Sequence, residues 1–358
     1  MVMGNLKYCP KERLADWAEE LSRECTVLVP QKAGDAVEFL PFAPGADLSL
    51  DAQATAPPKK SVFPQTETLL RFEYHKDPDD PGKQAVKVQE TVPDPDKTVV
   101  LGGRSCDARG FTVFDPVFIQ GEVLDPYYEG RRKSTLFITQ TCTQPENTCF
   151  CHWVGGGPAD TAGSDVLMTP VSSGYVLQSL TEQGRQLVES GGFEDAGPEQ
   201  TAEADQAAEK AAKSLHSPPD LSTVPDRFFE LFEDQDFWER MSAKCISCGA
   251  CTYLCPTCYC FSLSDECSGL QGKRIRTWDN CMSNLFTHEA SGHNPRPTKA
   301  KRLRNRVGHK FSYYPKLHEQ IFACCGCGRC IKSCPMAVDI REIVCAVKEY
   351  TDDESLSS

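Results

Sequence analysis

Two runs of cysteine carry the clearest chemistry in the sequence. Cys245, Cys248, Cys251 and Cys255 lie in "CISCGACTYLCP", closed by Pro256. Cys324, Cys327, Cys330 and Cys334 lie in "CCGCGRCIKSCP", closed by Pro335. Both have the form C-x2-C-x2-C-x3-C-P. Three cysteines two apart can curl round one cubane and give a thiolate to each of three irons. In this type of run the fourth cysteine serves the other of two [4Fe–4S] clusters. The spacing therefore predicts one cluster on Cys245, Cys248, Cys251 and Cys334, and a second on Cys324, Cys327, Cys330 and Cys255. Zinc sites use paired C-x2-C knuckles with four ligands per ion, and do not call for this longer spacing twice. Cys325 fits neither register and reads as a spare thiol.

A further constellation sits upstream. Cys106 lies in "GGRSCDARG", and Cys142, Cys149 and Cys151 lie in "ITQTCTQPENTCFC". Each stretch follows a short apolar segment, and loops after parallel strands can converge on one site. Four thiolates would complement a third [4Fe–4S] cluster. Spacing alone leaves that reading and a set of buried or free thiols equally open. Cys258, Cys260 and Cys281 lie between the two runs and can meet in space, with Cys267 nearby in sequence. Cys9, Cys25 and Cys345 stand alone, which favours structural burial.

The elements that must position these residues alternate in type. Residues 11–26 have Leu14, Trp17, Ala18 and Leu21 at helical spacing. "KTVVLGG" and "STLFITQTC" read as short buried strands ending in loops, with "DARGFTVFDPVFIQG" between them starting as a helix. "DVLMTPVSSGYVLQSLT" reads as strands turning at "SSG". Residues 190–225 are rich in Ala, Glu and Gln and predict a solvated helix in a connection. "DRFFELFEDQDFWERMSAKC" then predicts a helix with an aromatic face. The expected fold is α+β: an α/β domain over 1–190, a helical connection over 191–225, and a ferredoxin-like dicluster domain over 226–358. A long insertion separates the two cysteine runs of the last domain.

The bulk numbers narrow the function. The chain has 358 residues, 20 of them Cys, and a formal charge of −13. That charge disfavours broad nucleic-acid binding. The basic stretch "GHNPRPTKAKRLRNRVGHK" lacks the interleaved aromatics of a base-stacking surface. It suits a lobe that balances anionic clusters or meets an acidic partner. No apolar stretch approaches the roughly 20 residues of a membrane span, and the N-terminus has no signal-peptide core. A cytoplasmic location follows, where many cysteines point to metal or redox chemistry rather than disulfides. "GGGPADTAG" lacks the spacing of a dinucleotide loop, and no hydrolase or metalloprotease signature occurs.

The ordered set "PPKKSVFPQTETLLRF", "GGRSCDARG", "TCTQPENTCFC", "CISCGACTYLCPTCYC", "RTWDNC", "GHNPRPTKAKRLRNR" and "CCGCGRCIKSCP" resembles one family of iron–sulfur proteins. That family includes the iron–sulfur subunit of anaerobic sulfite reductase and the beta subunit of cytoplasmic sulfhydrogenase. It also includes the iron–sulfur subunit of heterodisulfide-reductase-associated flavin oxidoreductases. The resemblance implies an electron-transfer subunit of an anaerobic oxidoreductase complex. Its partners would be an FAD- and NAD(P)-binding reductase subunit together with a terminal catalytic subunit. The resemblance also implies a third cluster on Cys106, Cys142, Cys149 and Cys151. It shares Cys258, Cys260 and Cys281 without giving them a role. Cys325 and the Ala/Glu-rich connection depart from the family pattern. The alternative is an enzyme subunit with its own substrate or flavin site in the N-terminal domain.

Overall fold

The structure is a computed structural model that describes residues 6–350 except positions 78, 81 and 93. Its strands, among the described residues, are β1 (Lys7–Pro10), β2 (Thr26–Ala33), β3 (Ala36–Pro41), β4 (Thr66–Lys76), β5 (Gln84–Glu90), β6 (Thr98–Arg104), β7 (Thr135–Gln140), β8 (Val166–Val171), β9 (Gly174–Ser179), β10 (Glu194–Asp195), β11 (Phe261–Ser268) and β12 (Gln271–Trp278). Helices and sheets are mixed, and the cysteine runs lie in the C-terminal part.

The larger sheet has the order β10-β1-β9-β8-β7-β6-β2-β3. Its centre is parallel, because β2, β6, β7 and β8 run the same way. The outer pairings are antiparallel, including the β8–β9 hairpin that turns at Ser172 and Ser173. Parallel strands buried on both faces are near-continuous apolar runs, and Val99, Val100 and Leu101 of β6 show how that is used. Val99 and Leu101 pack with Trp17, Ile138 and Leu177 on one face, and Val100 packs with Phe111, Phe114 and Phe137 on the other. The helix Arg13–Ser22 lays Leu14, Trp17 and Ala18 on the first face. The helices Phe111–Phe118 and Pro126–Ser134 cover the second and carry the crossover from β6 to β7.

The second sheet, β11-β12-β4-β5, is antiparallel and joins distant parts of the chain. The hairpin β11–β12 belongs to the insertion between the cysteine runs, and β12 pairs β4, some 200 positions upstream. A buried ionic network holds that junction. Arg276 on β12 contacts Glu67 on β4 at 2.5 Å and also Asp125, and Arg131 meets the same Glu67 at 2.6 Å. Four charges taken from water together satisfy one another. Removing one partner of such a pair strands the other at a cost of about 3–5 kcal/mol.

The Ala/Glu-rich segment forms the helix Pro198–Lys213, which packs on β8 and β9 and buries Ala204 and Ala211. The aromatic segment after it divides into two helices, Val224–Glu230 and Gln235–Ser242. The break falls at Asp234, whose carboxylate accepts from the Phe237 N–H at 2.8 Å and caps the second helix. This competition between a short acidic side chain and the helical backbone explains the split. Phe228 and Trp238 then enter a third core with Val307, Phe311, Ile343, Val344 and Val347.

Candidate metal centre

The two cysteine runs fold alike. Each third cysteine, Cys251 or Cys330, lies in a one-turn helix, Ala250–Tyr253 or Arg329–Lys332. The residue capping each helix is a left-handed glycine, Gly249 at φ +78° and Gly328 at φ +75°. Two positions earlier the backbone is left-handed again, at Ser247 (φ +57°) and Gly326 (φ +63°). These reversals wrap the chain round a centre instead of letting it run on. In both copies the first cysteine sulfur accepts a backbone N–H two residues on. Ser247 N is 3.4 Å from Cys245 Sγ, and Gly326 N is 3.4 Å from Cys324 Sγ. Val338 N adds a 3.3 Å contact to Cys334 Sγ.

The packing of the two one-turn helices crosses the runs. Cys245, Cys248 and Cys251 line one cavity together with Cys334 from the other run. Cys324, Cys327 and Cys330 line a second cavity together with Cys255, and Cys325 stands in its wall. Arg306, Cys330 and Ile340 border both cavities, so the two are adjacent. No disulfide joins any of the twenty cysteines.

The upstream cysteines come together where the two halves of the chain meet. Cys106 lies in the short helix Ser105–Arg109 directly after β6, and Cys142 lies two residues beyond β7. Because β6 and β7 are neighbouring parallel strands, both loops leave the same edge. Cys149 and Cys151 follow in the β7 loop, which is pinned by the Cys142 N–H to Pro158 O bond of 2.9 Å. Cys142, Cys149 and Cys151 lie near one another, and Cys106 lies near Cys151. This group abuts the second cavity. Phe150 N donates to Gly326 O at 2.8 Å, Cys149 Sγ reaches Cys327 O at 3.9 Å, and Cys106 and Cys149 both lie near Cys327.

Charge is the second half of the site. Burial pushes the Cys324, Cys330 and Cys149 thiols up to about 12, and Cys151 up to about 11. Bare thiols in these places stay protonated, so thiolates there require cationic company. Three buried cations supply it. Lys310 Nζ is 3.4 Å from Cys255 Sγ, and is fixed by Thr257 Oγ1 at 2.8 Å and Ala323 O at 2.9 Å. Burial opposes its charge, but Cys255, Cys258 and Cys324 outweigh that and hold the ammonium well above its ordinary value. Arg306 lies near Cys251 and Cys330. Arg329 pairs with Asp107 at 2.6 Å, both fully buried, and lies near Cys327 and Cys106. The donor set suits iron–sulfur groups: soft sulfur ligands ranged round cavities, backbone N–H groups on the sulfurs, and buried positive charge to offset a buried anion.

Several of these residues are not legible as functional in the sequence. Lys310 and Arg306 lie in a basic stretch that reads only as a charged lobe. Their spacing with Arg302, four by four along the helix Lys299–Gly308 and the turn after it, is the signal of one inward face. Gln53, whose Nε2 lies 3.6 Å from Cys106 Sγ and 3.2 Å from Cys327 O, belongs to no motif. Cys267 is exposed on the β11–β12 hairpin, paired with Gly272, and Cys9 is buried in the core of the larger sheet.

Residues 244–338 match the family described as 4Fe-4S dicluster domain. The chain is 30% identical over 308 residues to the beta subunit of sulfhydrogenase 2 from Pyrococcus furiosus, covering 85% of this chain and 86% of that one. No solved structure matches. Among the described residues no helix is long and apolar enough to cross a membrane.

Proposed function

Since the chain belongs to the family of iron–sulfur electron-transfer subunits that includes the beta subunit of sulfhydrogenase 2, we propose that it relays electrons through three [4Fe–4S] clusters. Two are ligated crosswise, by Cys245, Cys248, Cys251 and Cys334, and by Cys324, Cys327, Cys330 and Cys255. The third is held by Cys106, Cys142, Cys149 and Cys151 of the 1–190 unit, while the first two occupy the 226–358 unit. The relay connects an FAD- and NAD(P)-binding subunit to a terminal catalytic subunit of the sulfite reductase, hydrogenase or heterodisulfide reductase type. The setting is cytoplasmic and anaerobic.

One observation carries this reading: the three thiol groups adjoin in a row. The Cys106 group abuts the Cys327 cavity, and that cavity shares Cys330 with the Cys245 cavity. Bound there, the clusters supply one-electron steps between a two-electron flavin donor and the acceptor. The chain's own residues set the conditions. Ser247 N, Gly326 N and Val338 N donate to cysteine sulfurs, which stabilises added negative charge. Phe150 and Ile340 give the middle cavity apolar walls. Near the last cavity Cys248 is exposed, with Ile246 at 59% and Met336 at 39% exposure, giving electrons a surface outlet.

The reading is tested on the tagged full-length chain, purified anaerobically with the partners that accompany it. NADH or NADPH should bleach the cluster absorbance of the complex within its turnover time. A complex that contains flavin and turns over while the clusters of this chain stay oxidised would defeat the relay.

A further inference from the structure

Three cysteines outside the twelve above also converge. Cys258 and Cys260 follow Pro256 of the first run, and Cys281 stands just beyond β12. The hairpin brings them together. Phe261 pairs with Trp278 at its base, and Asp279 N donates to Cys260 O at 2.9 Å. The Cys260 and Cys281 thiols lie within hydrogen-bonding reach, and Cys258 lies closest to Cys255 with Cys281 nearby. Cys281 is buried and the other two are partly buried.

A buried cation marks the same place. Lys59 is 3% exposed. Its Nζ is held by Cys258 O at 3.0 Å and Tyr253 O at 3.4 Å, and lies 4.0 Å from the Trp278 ring centroid. Among the described residues no carboxylate pairs with it. The groups in reach that can carry negative charge are the sulfurs of Cys258, Cys255 and Cys260. Lys310 faces Cys255 and Cys258 from the other side. Burial pulls the Lys59 pKa below its ordinary value while the three sulfurs pull it up, so a charged ammonium there requires a compensating negative charge. The clusters already assigned bring Cys255 and Cys324 to Lys310, but Cys255 alone to Lys59.

We propose that Cys258, Cys260 and Cys281 hold an iron–sulfur group of their own, a fourth metal site with three thiolate ligands. A disulfide between Cys260 and Cys281 would leave Lys59 facing neutral sulfur, whereas a thiolate-bound iron–sulfur group would be an anion near both lysines. The site lies beside Cys255, a ligand of the middle cluster in the proposed relay, and its existence rests only on the chain being an iron–sulfur protein. It makes the row of clusters branched: the fourth group is a side position from the middle cluster.

The test uses the full-length chain enriched with 57Fe and purified anaerobically, with iron and sulfide counted and Mössbauer spectra recorded. The triple variant C258S/C260S/C281S should lose about three to four irons with matching sulfide, and keep the ferredoxin-type signals. C106S is measured beside it and should lose about four irons of a different spectral component. Wild-type iron and sulfide in the triple variant would overturn the fourth site. If C106S loses nothing while the triple variant loses iron, the third-cluster reading falls and the fourth site stands. Should the triple variant fail to fold, the wild-type count decides. With C106S losing one cluster, more than about twelve irons per chain supports the site, and about twelve or fewer overturns it.

Discussion

At the residue scale the site is a balance between buried thiols and buried cations. The cysteines are legible because ligand spacing is local: a cubane dictates x2 and x3 gaps whatever the rest of the fold does. The cations are not, because a basic stretch on paper does not show which way its helix will roll. Only the four-residue recurrence of Arg302, Arg306 and Lys310 carries that information, and it is easily lost among Lys299, Lys301 and Arg304. Two outcomes follow from the charge balance. Lys310→Met removes the ammonium 3.4 Å from Cys255 Sγ, an ammonium that favours the reduced, more negative state of the middle cluster. The potential of that cluster should fall by tens of millivolts, at about 59 mV per tenfold change for one electron, as read by redox-monitored EPR. Cluster assembly should also depend on pH. Thiols raised to about 12, such as Cys324 and Cys330, must release protons to bind metal, so iron affinity rises with pH and weakens as pH falls. Chelator resistance measured across that range reads the sign.

At the scale of elements, the repeated turn does the positioning. Its two glycine-compatible reversals per run can be anticipated from "CGAC" and "CGCGRC", though Ser247 shows that a non-glycine residue also takes the left-handed state. A side chain at Gly328 would be strained twice. Its Cβ would stand 2.5 Å from Thr148 O, and its φ is +75°. Gly328→Ala should therefore cost more than the roughly 1–2 kcal/mol of the left-handed backbone alone, as measured by chemical denaturation. It should also push the Cys149–Cys151 loop away from the second run and weaken the EPR interaction between those clusters. The β11–β12 hairpin is not legible, because its apolar alternation is weak and its partner β4 lies far upstream. Periodicity describes a strand's faces and says nothing about a partner so distant in sequence.

At the scale of the molecule, N- and C-terminal parts are interlocked by β4 against β12, by Asp107 against Arg329, and by Phe150 against Gly326. The composition shift at 190–225 suggests a simple connection between units, and helix Pro198–Lys213 does pack on the larger sheet. Segment-wise reading recovers the parallel strands and the loops that carry Cys106 and Cys142, since those follow from local apolar runs. It does not recover the shared sheet. Asp107→Asn should destabilise the whole chain by about 3–5 kcal/mol, because it leaves the Arg329 guanidinium buried beside Cys327 without its partner. Chemical denaturation of the holo-protein measures this. A fragment of residues 226–358 alone should expose the β12 edge and be cut by proteases within the hairpin, whereas the full chain is not.

The most direct test of the relay is turnover in a complex that carries C106S. Cys106 belongs to the group at one end of the proposed row of three. Its loss should remove about four irons from the chain, leave the two ferredoxin-type signals in place, and reduce nicotinamide-linked turnover of the terminal subunit to background. Wild-type turnover, with or without the missing iron, would contradict the relay.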